Sequence, residues 1–293
     1  MPIGKVSAMV PPVAPAAGKG SRSDAASWLL LLPALAFLAV FFLIPLGQVV
    51  FFSVMDPGFT LKHYWSFFSD AFYWRVLWGT FQTAGIVTIF ALLMSYPLAY
   101  MIVRIGGHFA TVMLLIIAMS FWTSFLVRTF AWMVILGNNG PLRAVLAFLG
   151  WDPAPQLLFT RFSSTLAMVH LLIPFMVLAL YSVMKKIDMN FVRAARSLGA
   201  TPFEAFRRVF LPLSAPGIVN GCTLVFIMCL GFYVTPVLLG SPREQMIAGL
   251  IGTQIEEFLE FGEASATSVI LLLVTLAIFA IYNRFVGLDK LWG

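Results

Sequence analysis

Long apolar runs separated by short polar connections set the pattern of this chain. The runs fall at Trp28–Phe52, Val76–Val103, Phe109–Leu136, Phe162–Met184, Leu213–Leu239 and Ser265–Tyr282. Each approaches or exceeds the roughly 20 residues that carry a helix across the hydrocarbon core of a bilayer. The pattern predicts an all-α, polytopic integral membrane protein with about six transmembrane helices. The first run is longer than the apolar part of a secretory signal, about 7–15 residues, and reads as an uncleaved anchor. Pro33, Pro45, Pro97 and Pro174 lie inside runs, where neighbouring helices re-satisfy the freed carbonyls and kinks are expected. Residues 1–27, rich in Ala, Pro, Gly and Ser, are expected to form a disordered tail. Residues 28–293 are then one transmembrane domain.

One connection, residues 185–212, is long and carefully punctuated. It contains RAARSLGATPFEAFRRVFLP, Arg193 to Pro212. Asp188 or Asn190 can cap a short helix through Leu198. On that helix Ala194, Ala195 and Leu198 share one side, and Arg193 and Arg196 another. Gly199 is a natural stop, since a left-handed residue costs glycine least. Thr201, Pro202 and Glu204 then read as a capping box with proline at the first helical position. Phe203, Phe206 and Phe210 are expected along one side of the second helix, and Leu211–Pro212 hands over to the next span. Two uses fit this helix–turn–helix elbow: docking against another protein, or lying on lipid headgroups with help from Arg207 and Arg208. The double punctuation favours docking, because a lipid-lying helix needs no sharp break.

Charge then orients the spans. Only 10% of residues are charged and 61% are hydrophobic, whereas soluble domains carry about a quarter charged residues. With the N-terminus inside, Lys5, Lys19, Arg22, Arg104, Lys185, Lys186, Arg193, Arg196, Arg207, Arg208, Arg284 and Lys290 share the inner side. Lys62, Arg75, Arg143, Arg161 and Arg243 fall outside, with most of the acids. The positive-inside rule therefore places both termini and the elbow in the cytoplasm. The same asymmetry accounts for the net charge of +6 without nucleic acid. His63, His108 and His170 are scattered, and Cys222 and Cys229 lie too far apart along a helix to bridge. The sequence contains no phosphate-binding loop, no dinucleotide fingerprint and no metal-ligand spacing. No cofactor and no enzymatic activity are expected.

The elbow resembles the signature loop of ABC-importer permeases, written E-A-A, three residues, G, nine residues, I-x-L-P. Ala194, Ala195, Gly199, Leu211 and Pro212 match; Arg193 stands where the family usually has Glu, and Val209 where it has Ile. The segments Ser120–Gly140 and Gly231–Pro242 are similar to the spermidine/putrescine branch, which often has an acid where this chain has Phe232. The resemblance implies a type I ABC-importer permease fold in a bacterial inner membrane. It further implies two cytoplasmic ATPase subunits seated on Arg193, Ala194, Ala195, Leu198, Gly199, Thr201, Pro202, Leu211 and Pro212, a second permease, an extracytoplasmic binding protein, and surrounding membrane lipid. A polyamine is the implied solute, with an amino-acid-derived compound or an anion as the alternative. An ion-coupled carrier is the competing class. It would need ionisable residues at mid-membrane, and only Arg128 qualifies.

Arg128 has two readings: a snorkelling or paired structural charge, or a pathway residue. Trp122, Trp132 and Phe130 nearby read as an aromatic belt or as pathway lining. Phe232, Tyr233 and Thr235 lie in GFYVTP, a break of the kind that lines cavities in transporters, or else simply a helix end. Glu256, Glu257, Glu260 and Glu263 form either a docking surface for a cation or protein, or a solvated helix.

Overall fold

The computed structural model describes residues 31–286 except positions 57, 152, 154, 242 and 243. The expected tail 1–27, the start of the first span at Trp28, and Lys5, Lys19, Arg22, Arg243 and Lys290 lie outside the described residues. The chain divides into two compact units, Met1–Gln48 and Val49–Gly293.

The described residues form helices joined by turns. The first, α1 (Leu31–Met55), presents Leu35, Phe37, Phe41 and Phe42 as exposed apolar side chains, a surface suited to lipid. Within the second unit follow α2 (Lys62–Ser69), α3 (Ala71–Ile105), α4 (Gly107–Met119), α5 (Phe125–Leu136), α6 (Pro141–Phe148), α7 (Arg161–Met184), α8 (Met189–Ser197), α9 (Pro202–Leu230), α10 (Val234–Leu239), α11 (Ile247–Glu256) and α12 (Phe261–Val286). Five of these, α1, α3, α7, α9 and α12, are long and apolar enough to cross a membrane.

The core is a packing of α3, α7 and α9. Ala84, Val87, Ala91, Ala99 and Ile102 of α3 face Met168, Leu172, Met176, Leu180 and Met184 of α7, spaced three, four or eight residues apart along each helix and all buried. Small residues opposite long ones suit a bundle in lipid, where helix association depends on close van der Waals approach. On α9, Gly217 and Gly221 bring α7 nearer still. A Cβ at Gly217 would lie 3.0 Å from the Val183 Cβ, and one at Gly221 would lie 2.6 Å from the Met176 Sδ.

The structure corrects the expected third span. Phe109–Leu136 is not one helix: α4 and α5 are separated by a turn at residues 120–124. Each is about 20 Å long at 1.5 Å per residue, short of the roughly 30 Å hydrocarbon thickness. The fifth span is also redrawn. It begins at Pro202, so the second elbow helix and the span are one continuous rod, and it ends at Leu230. Two π turns, Ala39–Leu43 and Phe206–Phe210, each end two residues before a proline, Pro45 and Pro212. A proline ring clashes with the carbonyl four residues back, and an i→i+5 turn upstream moves that carbonyl aside.

Candidate functional site

The elbow follows α7 directly. The Asp188 carboxylate accepts from the Asn190 amide at 2.8 Å and starts α8. The helix ends as a two-bond C-terminal motif: the Gly199 N–H donates to the Arg196 carbonyl at 3.0 Å and the Ala200 N–H to the Ala195 carbonyl at 3.1 Å. Gly199 has φ +93°, the left-handed value this motif requires. Two residues on, Thr201 caps the second helix. The Thr201 N–H donates to Glu204 Oε2 at 2.9 Å, and the Glu204 N–H donates to Thr201 Oγ1 at 3.3 Å. The Thr201 N–H first, and then the Thr201 hydroxyl, which also donates to Glu204 Oε2 at 2.9 Å, hold the Glu204 carboxyl below the usual carboxylate range, and Arg208 adds to the effect.

Behind the elbow, the rings of Phe206 and Phe210 meet Tyr100 edge-on at 5.3 and 4.9 Å. Tyr96 hydrogen-bonds Ser214 at 2.8 Å. Phe210 is buried and Phe206 half-buried, but Phe203 is exposed. The expected line of three phenylalanines therefore holds only for Phe206 and Phe210, which pack behind the elbow, while Phe203, in the first turn after the cap, stays exposed. On the solvent side a cleft of about 390 Å³ is lined by Ala195, Leu198, Gly199, Ala200, Glu204, Ala205, Arg208 and Val209. Leu198 is 89% exposed beside it. Arg193 and Ala194 are exposed on α8, while Thr201 and Pro202 serve the second cap and Leu211–Pro212 closes the π turn.

At the other end of α9 the helix stops at Leu230, and three residues pass before α10. The Phe232 ring meets Phe125 edge-on at 6.0 Å. The buried hydroxyls of Thr129 and Thr235 lie 3.3 Å apart. Tyr233 donates to the Glu256 carboxylate at 3.2 Å, its ring lying where Gly252 has no side chain. The Leu239 carbonyl accepts from buried Ser163 at 2.6 Å. Of the sequence-predicted residues, Phe232 and Thr235 thus join α5, and Tyr233 joins α11. Trp132 Nε1 reaches His170 Nδ1 at 3.3 Å. Trp122 is 85% exposed in the turn at 120–124 and joins none of them. Arg128 has a buried Nε without a partner among the described residues.

The run Glu256–Glu263 is not one helix. It is broken between α11 and α12, with Leu259 at φ +56°. Glu263 turns inward to accept from Tyr73 at 3.1 Å and Ser66 at 3.4 Å. The sequence singled out none of Thr129, Ser163, Gly217 and Gly221, and showed His170 only as one of three scattered histidines. Only the glycine pair carried a local signal, the G-x-x-x-G spacing of closely packed membrane helices.

No family model matches the chain. The spermidine/putrescine transport system permease protein PotB of Haemophilus influenzae is 35% identical over 262 residues, which is 88% of this chain and 90% of that protein. The chain belongs to the spermidine/putrescine transport permease family. PotB of Escherichia coli is 31% identical over 233 residues, 79% of this chain and 84% of its own length. A crystal structure of a bacterial ABC transporter involved in the import of the acidic polysaccharide alginate shares the fold, with TM-score 0.74 over 90% of this chain and 96% of that one, at 18% identity. This member of the permease family is accordingly a multi-pass inner-membrane protein with an ABC-transporter permease fold.

Proposed function

We propose that this permease forms half of the translocation pathway of an ATP-driven importer for a polyamine such as spermidine or putrescine. It works with a second permease, two cytoplasmic ATPase subunits and an extracytoplasmic binding protein. The observation that carries this reading is the elbow. The short helix α8 and the start of α9 are locked by consecutive caps and present exposed Leu198 and Phe203 beside a cleft, at an end of the bundle otherwise rich in arginine and lysine. Exposed apolar side chains on a rigid mount suit a protein groove better than water. Because α9 continues unbroken from Pro202 to Leu230, a push on the elbow travels as a rigid body to the break at Gly231. There Phe232, Tyr233 and Thr235 contact α5 and α11, so ATPase movement is transmitted to the far mouth of the pathway. The chain does no bond chemistry, and both termini and the elbow face the cytoplasm.

Proteoliposomes holding this permease with its cognate permease, ATPase and binding protein test the reading. Labelled spermidine or putrescine should accumulate only with ATP and binding protein together. A binding protein that captures a different solute class would overturn the polyamine assignment. Uptake driven by an ion gradient without the ATPase would overturn the importer mechanism.

A further inference from the structure

The geometry points to a binding site for the phosphate headgroup of an anionic phospholipid, in the cleft between the N-terminal ends of α3 and α7. The cleft has a volume of about 610 Å³, and Arg75, Trp78, Gly79, Gln82, Thr83 and Arg161 line most of it. Its guanidinium donors are largely unused. Arg161 reaches Gln82 Oε1 and Thr83 Oγ1 with one terminal nitrogen, each at a long 3.4 Å. Its Nε is buried with no partner. Arg75 makes no hydrogen bond or ion pair among the described residues. Buried donors are rarely left unpaired in folded proteins, and a guanidinium presents a planar fork that fits phosphate oxygens. Glu244 also lines the cleft, on the connection before α11, and pairs with neither arginine among the described residues. The two guanidinium charges therefore outnumber the one carboxylate.

Depth distinguishes a lipid from a free anion. Trp65, Phe68, Phe72, Trp74 and Trp78 are all exposed around this end of α2 and α3. Such a gathering of aromatics marks the membrane–water interface, where headgroups sit. The 35 residues of α3 extend about 50 Å, well beyond the roughly 30 Å hydrocarbon core. Arginines at this end of the helix thus reach headgroup level, with the aromatic walls beside the glycerol and upper acyl chains. Guanidinium groups held in a cleft between membrane helices suit such headgroups, here on the side that the charge pattern places outside.

Gly79 supplies a clean test. A Cβ there would meet no atom within 4 Å, so Gly79→Leu grows into the cleft without crowding the protein and removes a poor helix former. The permease, purified from membranes with whatever subunits accompany it, is examined by native mass spectrometry for retained phosphatidylglycerol and phosphatidylcholine. Inorganic phosphate is offered in a separate arm. The wild-type protein should prefer phosphatidylglycerol by about tenfold, because both lipids offer a phosphate but the choline ammonium is repelled by the two guanidinium groups. Gly79→Leu and Arg75→Gln should abolish that preference with unchanged melting temperature. Equal retention in wild type and both variants overturns the proposal. Saturation by inorganic phosphate without lipid overturns the lipid assignment. Lost capture of the binding protein with unchanged lipid retention would reassign the cleft to protein docking.

Discussion

Gly199 is required by backbone conformation and not by crowding. Its φ is +93°, yet a Cβ there would touch nothing within 4 Å. Any β-carbon residue should therefore cost about 1–2 kcal/mol at the turn, and asparagine, which tolerates the left-handed region, should cost less. We expect Gly199→Val to insert in the membrane but lose co-purification of the ATPase, and Gly199→Asn to keep most of it. Equal co-purification by wild type and both variants would show that the turn has no mechanical part. Glu204 gives a pH test a few residues later. Its folded carboxyl is depressed by Thr201, so the stabilisation is present above the unfolded carboxylate value and disappears as pH falls through the folded one. The protection of the Thr201 and Glu204 amides against hydrogen exchange, taken relative to the intrinsic rate at the same pH, should therefore fall in acid, while Glu204→Gln, which can still accept the Thr201 N–H, should respond little. Both caps were legible in the sequence because they are closed by hydrogen bonds between residues three to five apart. The exposed position of Phe203 was not, since it depends on how the first turn of α9 stands relative to the helices behind it, a matter of tertiary packing.

At the level of elements, the α7–α9 contact is the rigid joint behind the elbow. Val183 is stiff at its branched Cβ and already lies 3.0 Å from where a Gly217 Cβ would be. Gly217→Leu should wedge the two helices apart and lower stability by about 1–3 kcal/mol, as overpacking does. A fall in the melting temperature of the purified permease checks this, and Gly79→Leu, with open space around it, serves as the matched control. The break between α4 and α5 shows why spans can be miscounted. Ser120–Ser124 includes Phe121 and Trp122, so a hydropathy average sees no interruption. Only the backbone shows a turn there, with Ser120 and Phe121 N–H groups bonding back to Ile117 and Ala118.

For the whole molecule, orientation is the property the charge pattern predicts and a labelling experiment decides. Thr201 is a poor site for a reporter because its hydroxyl closes the capping box. Ala194, exposed on α8, is better. A membrane-impermeant thiol reagent should label Ala194→Cys in inside-out vesicles and not in intact cells. Cys229 is buried and Cys222 half-buried, both within α9, so background labelling should be low. Labelling in intact cells would reverse the topology and with it the side on which an ATPase could meet the elbow.

The sequence by itself determined the solvent, the number of long apolar segments to within one, and the two caps of the elbow. Composition, run length and short-range hydrogen bonding fix these, and none needs a distant partner. The tertiary structure decided what meets across the bundle: Thr129 with Thr235, Tyr233 with Glu256, Ser163 with the Leu239 carbonyl, and Arg161 with Gln82 and Thr83. Each pair is separated by 23 to 106 residues in the chain. Their approach depends on how α3, α7 and α9 pack, and that packing follows from side-chain shapes matched between helices. A single run of sequence carries no record of that match.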